Sequence, residues 1–363
     1  MNLASDWPKL TLAELDWLAA TFGAPERIAW HSARPFAASG IVACSRRAVF
    51  VKRHHVAVRD VAALMEEHAF IGHLRAHGAT VPAVLAMGCG QTAVARGEWV
   101  YEVHALANGV DLYRDAVSWL PFRSGAHAGA AGRALRALHD AARGYAAPPR
   151  AATLVVADFA VMGCDDPLGA LQARRAVVPM LARALRDRAW ERDFAAVIMP
   201  WHAHLRPFLP DLAPLWTHND FHASNLLWRE DGAARVAAVL DFGLANRTCA
   251  AFDLATAIER NCVEWLRLGD GATDIAHAEL ARALIGGYRE AHAICPAELA
   301  AVAALLPVVH VEFALSELAY FHGVLRSGAK SELAYSGFLL DHARWFGAPA
   351  GAAFLRAVRD ACA

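Results

Sequence analysis

Residues 218–228 read His218-Asn219-Asp220-Phe221-His222-Ala223-Ser224-Asn225-Leu226-Leu227-Trp228, and residues 236–245 read Val236-Ala237-Ala238-Val239-Leu240-Asp241-Phe242-Gly243-Leu244-Ala245. The first run places His218, Asp220 and Asn225 in an H-x-D-x-x-x-x-N loop, and the second delivers Asp241 in a D-F-G turn after an apolar segment. These are the groups that a metal-assisted phosphoryl transfer needs. Its loose, charge-spread transition state asks the protein to orient a hydroxyl in line and to neutralise phosphate oxygens. Mg²⁺ takes hard oxygen ligands and keeps part of its water shell. Asp241 and Asn225 are the natural metal pair, which leaves Asp220 as the hydroxyl-orienting base. An ordinary aspartate, with a pKa of about 4, is already charged at pH 7 and suits that task.

The flanks agree. Leu226-Leu227-Trp228 reads as a short strand, Arg229-Glu230-Asp231-Gly232 as a hairpin turn and Val236 to Leu240 as a second strand, so the metal ligands fall side by side. His218 is expected to brace the loop by packing under it and bonding its backbone. His222, two residues after the base, is a candidate donor to the γ-phosphate.

Further candidates lie upstream. Ala48-Val49-Phe50-Val51-Lys52 reads as a strand ending in one of only three lysines of the chain, with Lys9 and Lys330, in a sequence that otherwise uses arginine. A compact ammonium and a forked guanidinium are not interchangeable at a phosphate, so Lys52 is expected to hold the α- and β-phosphates. Leu64, Phe70, Ile71 and Leu74 set a helical period over Val61 to Leu74. Glu67 shares that stripe and is expected to pair with Lys52, while Glu66 faces water. Phe36-Ala37-Ala38-Ser39-Gly40 lies between strand-like runs, and Ser39 and Gly40 are candidate phosphate-cradle residues. Trp99 to His104 reads as a strand leading to a link at Ala105 to Gly109, with the backbone at Glu102 and Val103 as the candidate adenine edge.

Taken together, Val51-Lys52, Glu67, Val81-Pro82, Leu135-Arg136-Ala137-Leu138-His139, the Asp220 loop, Asp241 and Asp253-Leu254-Ala255 resemble the aminoglycoside phosphotransferase family of small-molecule kinases, a protein-kinase-like group that includes choline and homoserine kinases. The resemblance runs from Phe36 to about Leu266. It implies ATP and Mg²⁺ as co-substrates, Asp220 as the catalytic aspartate and a two-lobed α+β fold. That fold has a small antiparallel-sheet N-lobe, placed at residues 1–104, and a larger, mostly helical C-lobe at 105–363. Asn219 and Ser224 depart from the pattern, since many members carry glycine there. Asp253, in a first helical turn, is read as structural.

A length of 363 residues suits two packed lobes, and 56% hydrophobic residues with a net charge of −1 point to neither nucleic acid nor an anionic membrane. Seven cysteines without a C-x-x-C pair argue against a disulfide framework or a zinc ribbon and fit a reducing cytoplasm. The amino terminus shows no secretory pattern, and the apolar run 301–315 is broken by Pro307, His310 and Glu312. Thr11-Leu12-Ala13-Glu14 is a capping-box pattern, and Gly125 to Ala142 reads as a long helix. The helical insert from Leu168 to Leu205, broken at Pro179, is expected to cap the substrate side; His202 and His204 within it are poorly spaced for one metal.

The acceptor clue lies in Val308 to Leu325, an apolar helix in which Glu312, Ser316, Glu317 and Tyr320 are the candidate substrate contacts. Glu312, Ser316 and Tyr320 recur every four residues and are read as a polar stripe facing the cleft, suited to an amine or a polyol. The competing reading is a solvated face with Glu317 and His310 outside. The sequence therefore predicts a kinase that phosphorylates a hydroxyl of a small polar metabolite such as an amino alcohol, amino acid or amino sugar. A protein serine/threonine kinase is disfavoured because few residues separate Asp241 from Asp253. A non-catalytic nucleotide sensor is disfavoured because base and metal ligands are all present.

Overall fold

Alternation of side chains builds the first layer. The computed structural model describes residues 5–88, 90–114, 119–229, 234–290 and 295–363. Five strands, β1 (Pro25–His31), β2 (Ala38–Cys44), β3 (Ala48–His55), β4 (Ala93–Arg96) and β5 (Trp99–His104), form an antiparallel sheet in the order β1-β2-β3-β5-β4. Val42, Val49, Val51 and Val103 point to one face and bury themselves against Leu15, Leu18 and Phe22 of the amino-terminal helical turns. The Thr11–Glu14 capping box forms there, with the Thr11 amide donating to Glu14 Oε1 at 2.6 Å. Because strand side chains alternate, Ser39, Ile41, Phe50 and Lys52 take the opposite face and look into a cleft. Helix α1 (Val61–Ala76) is capped by the Asp60 carboxylate on the Ala63 amide and packs beside this sheet, burying Leu64, Glu67, Phe70, Ile71 and Leu74.

The second lobe is helical. Helix α2 (Gly125–Ala142) follows the first lobe, and β6 (Pro214–Thr217), β7 (Leu226–Trp228), β8 (Val236–Val239) and β9 (Asn246–Cys249) then make two small antiparallel ribbons, β6 with β9 and β7 with β8. The expected hairpin turn at Glu230–Gly232 lies outside the described residues. Helices α3 (Ala250–Cys262), α4 (Ala278–Arg289) and α5 (Val311–Gly323) complete the core. Helices α2 and α4 meet at glycine notches, where a Cβ on Gly132 would lie 2.0 Å from the Leu284 carbonyl oxygen and one on Gly287 would lie 2.0 Å from that of Gly129. Only glycine permits such an approach. The result is a two-lobed α+β architecture with the cleft between the sheet and the helical lobe.

The insert behaves differently from expectation. Pro179 opens a new short helix, Pro179–Leu185, which packs against α5, with Met180 filling the space beside Gly323. It supports the far side of α5 and lines neither cavity of the cleft. Among the described residues no helix is long and apolar enough to cross a membrane.

Candidate active site

The loop between β6 and β7 is held from below by one carboxylate. Asp253, fully buried in the first turn of α3, accepts the His218 amide at 2.8 Å and the Asn219 amide at 2.7 Å. His139 on α2 donates or shares a proton with the same carboxylate at 3.0 Å and meets the Tyr288 hydroxyl at 2.7 Å. This scaffold lets Asn219 sit at φ +60°. Left-handed backbone favours glycine and, after it, asparagine, so the replacement noted at this position keeps the turn.

His218 links the two halves of the site. Its Nδ1 accepts the Asp220 amide at 3.1 Å and its Nε2 donates to the Leu240 carbonyl at 2.9 Å, immediately before Asp241. Asp241 itself sits at φ +59°, a strained conformation of the kind that persists where surroundings over-determine it. Lys52 donates to Asp241 Oδ1 at 2.7 Å. Burial opposes the charge on both, but the ion pair overcomes it, so the Lys52 pKa rises and the Asp241 carboxyl is held well below the usual carboxylate range.

Asn225 donates through Nδ2 to the Asp220 carbonyl at 2.9 Å and to Asp220 Oδ2 at 3.2 Å, and its Oδ1 has no partner among the described residues. That oxygen and the Asp241 carboxylate are hard donors, which fits a Mg²⁺-type cation. Asp220 lies 3.5 Å from His222 Nε2 and 3.7 Å from Arg260 Nη2. Burial works against an ionised Asp220, yet His222 and Arg260 outweigh it and hold the carboxyl below its ordinary range. His222 is pushed toward neutrality by its own burial. It therefore acts on Asp220 chiefly as a polar neighbour, with Arg260 as the full positive charge.

Two cavities meet at this cluster. One, of about 270 Å³, is lined by Ser39, Ile41, Lys52, Leu106, Leu227 and Leu240 among others. The other, of about 350 Å³, contains Asp220, His222, Arg260, Phe313, Glu317 and Phe338. Lys52, Asn225 and Asp241 line both, and so does Arg34, while Asp220 faces only the second.

Several expectations need correction. Glu67 is buried but pairs with Arg150 at 3.4 Å instead of Lys52. Arg150, with no exposed side-chain surface, also donates to the carbonyls of Gly243 at 3.0 Å and Ala63 at 2.8 Å, tying α1 to the D-F-G turn. Gly40 is in β2 on the face away from the cleft, where a Cβ would lie 2.6 Å from the Trp30 carbonyl oxygen. Its smallness serves strand packing, and the loop over the cleft is Ser32 to Ala37. The Val103 carbonyl accepts the Leu85 amide at 2.7 Å and is thus taken. The Glu102 carboxylate, at 0% exposure, is enclosed by His54 at 2.9 Å, His68 at 2.7 Å and His104 at 2.9 Å. Leu106 and Ala107 line the first cavity and make no backbone hydrogen bond among the described residues, so the open edge lies there. His222 faces the second cavity, with Nδ1 2.8 Å from the Ser224 hydroxyl and Nε2 3.5 Å from Asp220.

On α5 the expected stripe is displaced by one residue. Glu312 accepts the amides of Val161 at 2.5 Å and Met162 at 2.8 Å, Ser316 accepts that of Val155 at 2.7 Å, and the Tyr320 hydroxyl donates to Asp6 at 3.1 Å. The residues that line the cavity are Phe313, Glu317 and Phe321. Arg34, Arg59 and Arg260 were not foreseen. Arg260 had a readable signal, a charge beside Glu259 and Asn261 in a helix that is otherwise mostly apolar; Arg34 and Arg59 had none.

The sequence profile described as the phosphotransferase enzyme family matches residues 41–301, well over half of the chain. The chain belongs to this family. As a phosphotransferase it is similar to the homoserine kinase of Caulobacter sp. (strain K31), with 30% identity over 194 residues, 53% of this chain and 52% of that protein. It thus spans about half the length of the curated relative it matches. Among solved structures, the phosphotransferase shares its fold with amicoumacin kinase in complex with AMP-PNP and Ca²⁺, at TM-score 0.58 and 15% identity over 96% of this chain and 92% of that one. The microcompartment-associated aminopropanol kinase matches at TM-score 0.56 and 17% identity over 93% and 98%. The aminoglycoside phosphotransferase of Alicyclobacillus acidocaldarius matches at TM-score 0.53 and 19% identity over 98% and 97%.

Proposed function

We propose that this phosphotransferase moves the γ-phosphoryl group of ATP to a hydroxyl of a small, amine-bearing acceptor. The observation that carries the reading is the junction of the two cavities: Lys52, Asn225 and Asp241 belong to both, and Asp220 only to the second. A nucleotide seated in the first cavity, with its adenine edge on Leu106 and Ala107, has its phosphates directed at that junction. Lys52 and Arg34 supply positive charge to them, and Ser39 lies on the same cleft face. Asp241 and the Asn225 amide oxygen would hold a divalent cation, Mg²⁺ by the hardness of the donors, which when bound neutralises phosphate charge. Asp220, kept ionised and aimed by Asn225, accepts the hydrogen bond of the acceptor hydroxyl and fixes its attacking oxygen in line.

Glu317 supports the amine, since it is a buried carboxyl on the wall of the acceptor cavity. A protein acceptor fits poorly, because β9 begins five residues after Asp241 and leads directly into α3, with no room for a docking segment. The test is ADP release with ATP, Mg²⁺ and a panel of hydroxylated amines. Asp220→Ala is expected to abolish acceptor-stimulated release while leaving ATP affinity within a few-fold of the parent. Stimulated release persisting at the parent rate in that variant would end the assignment of Asp220.

A further inference from the structure

The acceptor cavity holds two ionisable groups, Arg260 and Glu317, that make no hydrogen bond among the described residues. Arg260, 7% exposed, makes no hydrogen bond among the described residues; its nearest carboxylates are Glu259 at 3.6 Å from Nε and Asp220 at 3.7 Å from Nη2. Its guanidinium lies over the Phe313 ring at 4.9 Å and near that of Trp119 at 5.5 Å. A guanidinium can receive a carboxylate by two parallel bonds. Both neighbouring carboxylates stand beyond hydrogen-bond distance, so the guanidinium keeps N–H capacity for the closer, bonded contact of an acceptor's carboxylate.

Glu317 is the complement. At 5% exposure it has neither a hydrogen bond nor an ion pair among the described residues, and it sits one turn along α5 from Phe313, on the same cavity wall. Without a counter-charge, burial pushes its carboxyl up to about 8, only partly offset by Arg260. A cation in the cavity is what would keep it ionised. Phe36, Phe321, Leu333 and Phe338 add a hydrocarbon stretch to the wall, beside the polar side chains of His54, Arg59 and Lys330, and that stretch favours burial of apolar surface.

Resting on the phosphotransfer reading above, we propose that the acceptor is a hydroxylated amino acid with a hydrocarbon portion, its carboxylate on Arg260, its ammonium on Glu317 and its hydroxyl on Asp220. Amino sugars and simple amino alcohols fit less well, because they give Arg260 no acceptor within hydrogen-bond distance. Arg260 and Glu317 are specificity determinants that grip the two ends of a zwitterion, and Asp220 receives the third point.

The experiment measures ADP release by the full chain with ATP and Mg²⁺ for three matched sets: hydroxylated amino acids of increasing hydrocarbon size, their decarboxylated amino alcohols and their deaminated hydroxy acids. A charge-assisted contact at each end predicts that the parent prefers the zwitterion by about 10- to 100-fold in kcat/KM over either one-ended set. Arg260→Gln is expected to erase the preference over the amino alcohol, and Glu317→Gln the preference over the hydroxy acid, each mainly through KM. Arg260→Lys, which keeps the charge and loses the fork, should restore part of the first preference. Calorimetric titration of the same compounds into protein loaded with a non-hydrolysable ATP analogue reads binding without turnover. Equal turnover of one-ended acceptors, or an Arg260→Gln variant that lowers kcat alike for every acceptor, overturns the zwitterion proposal and leaves phosphotransfer standing. Zwitterion binding that depends on Arg260 and Glu317 without any ADP release upholds the proposal and removes the phosphotransfer reading. Neither binding nor turnover across all three sets overturns it outright.

Discussion

The two cavities that share Asp241 are built on opposite principles. On the nucleotide side nearly every charge has a partner within the chain: Lys52 with Asp241, Glu67 with Arg150, Glu102 with three histidines. On the acceptor side Arg260 and Glu317 stand among aromatic rings with their hydrogen-bonding capacity open. On the proposed reading, the first cavity is organised before its ligand arrives, whereas the second is completed by its ligand. Preorganised charge supports a reaction that needs no rearrangement at the moment of transfer. Open hydrogen-bonding capacity instead confers selectivity, because the wrong acceptor leaves a buried group unsatisfied.

The largest expected effect comes from breaking the shared boundary. Asp241→Ala removes a carboxylate from both cavities, and kcat is expected to fall by about 10³-fold or more, read as acceptor-stimulated ADP release; a loss below tenfold would separate Asp241 from the chemistry. Next is the scaffold of the paired side. Arg150→Met strands the Glu67 carboxylate in the interior and removes the links to the carbonyls of Ala63 and Gly243, the latter still bonded by Arg59, and urea unfolding should show a loss of about 3–5 kcal/mol. A loss under about 1 kcal/mol would mean that α1 is not held to the D-F-G turn through this arginine.

A smaller change is expected beneath the loop that serves both cavities. Asp253→Asn keeps the volume but weakens the grip on the His218 and Asn219 amides, so kcat should fall by about 10- to 100-fold through misplacement of Asp220. ATP affinity should stay near the parent value, since Asp253 touches no residue that lines the nucleotide cavity; a matching loss of affinity would contradict that separation. The smallest effect concerns Glu312, on α5 but turned away from the cavity. Burial, then the nearby Asp158, raises its pKa, so the folded chain holds a proton that the unfolded chain gives up. The stability this contributes is complete below the ordinary value of 4.5 and is lost as pH rises through the higher folded value. Glu312→Gln can still accept the Val161 and Met162 amides, so its melting temperature should decline less steeply than the parent's across the alkaline side of that range. Parallel declines would show that Glu312 is not the titrating group.

The same contrast explains what the sequence disclosed. Asp220, Asn225 and Asp241 were legible because short local spacing and two flanking strands fix them, and Lys52 because strand alternation decides its face. Helix period placed Glu67 inward but said nothing of its partner, since Arg150 lies 83 residues away. A glycine does not declare whether it makes room for a ligand or a neighbouring strand, and Gly40 makes room for the Trp30 carbonyl. On α5 the four-residue repeat was real, yet the helix is buried on nearly all sides, so no solvent face set its phase. The expected stripe at 312, 316 and 320 is occupied with loop amides and Asp6, and the cavity takes the adjacent stripe at 313, 317 and 321. The acceptor side depends on segments that only tertiary packing brings together, from Phe36 to Phe338.

The most direct test of the shared boundary is a crystal structure with a non-hydrolysable ATP analogue and Mg²⁺. The account predicts adenine against Leu106 and Ala107, the cation in contact with Asp241 and the Asn225 amide oxygen, and the terminal phosphate opening toward Asp220. A triphosphate directed away from Asp220, or a cation held without Asp241 and Asn225, would contradict it.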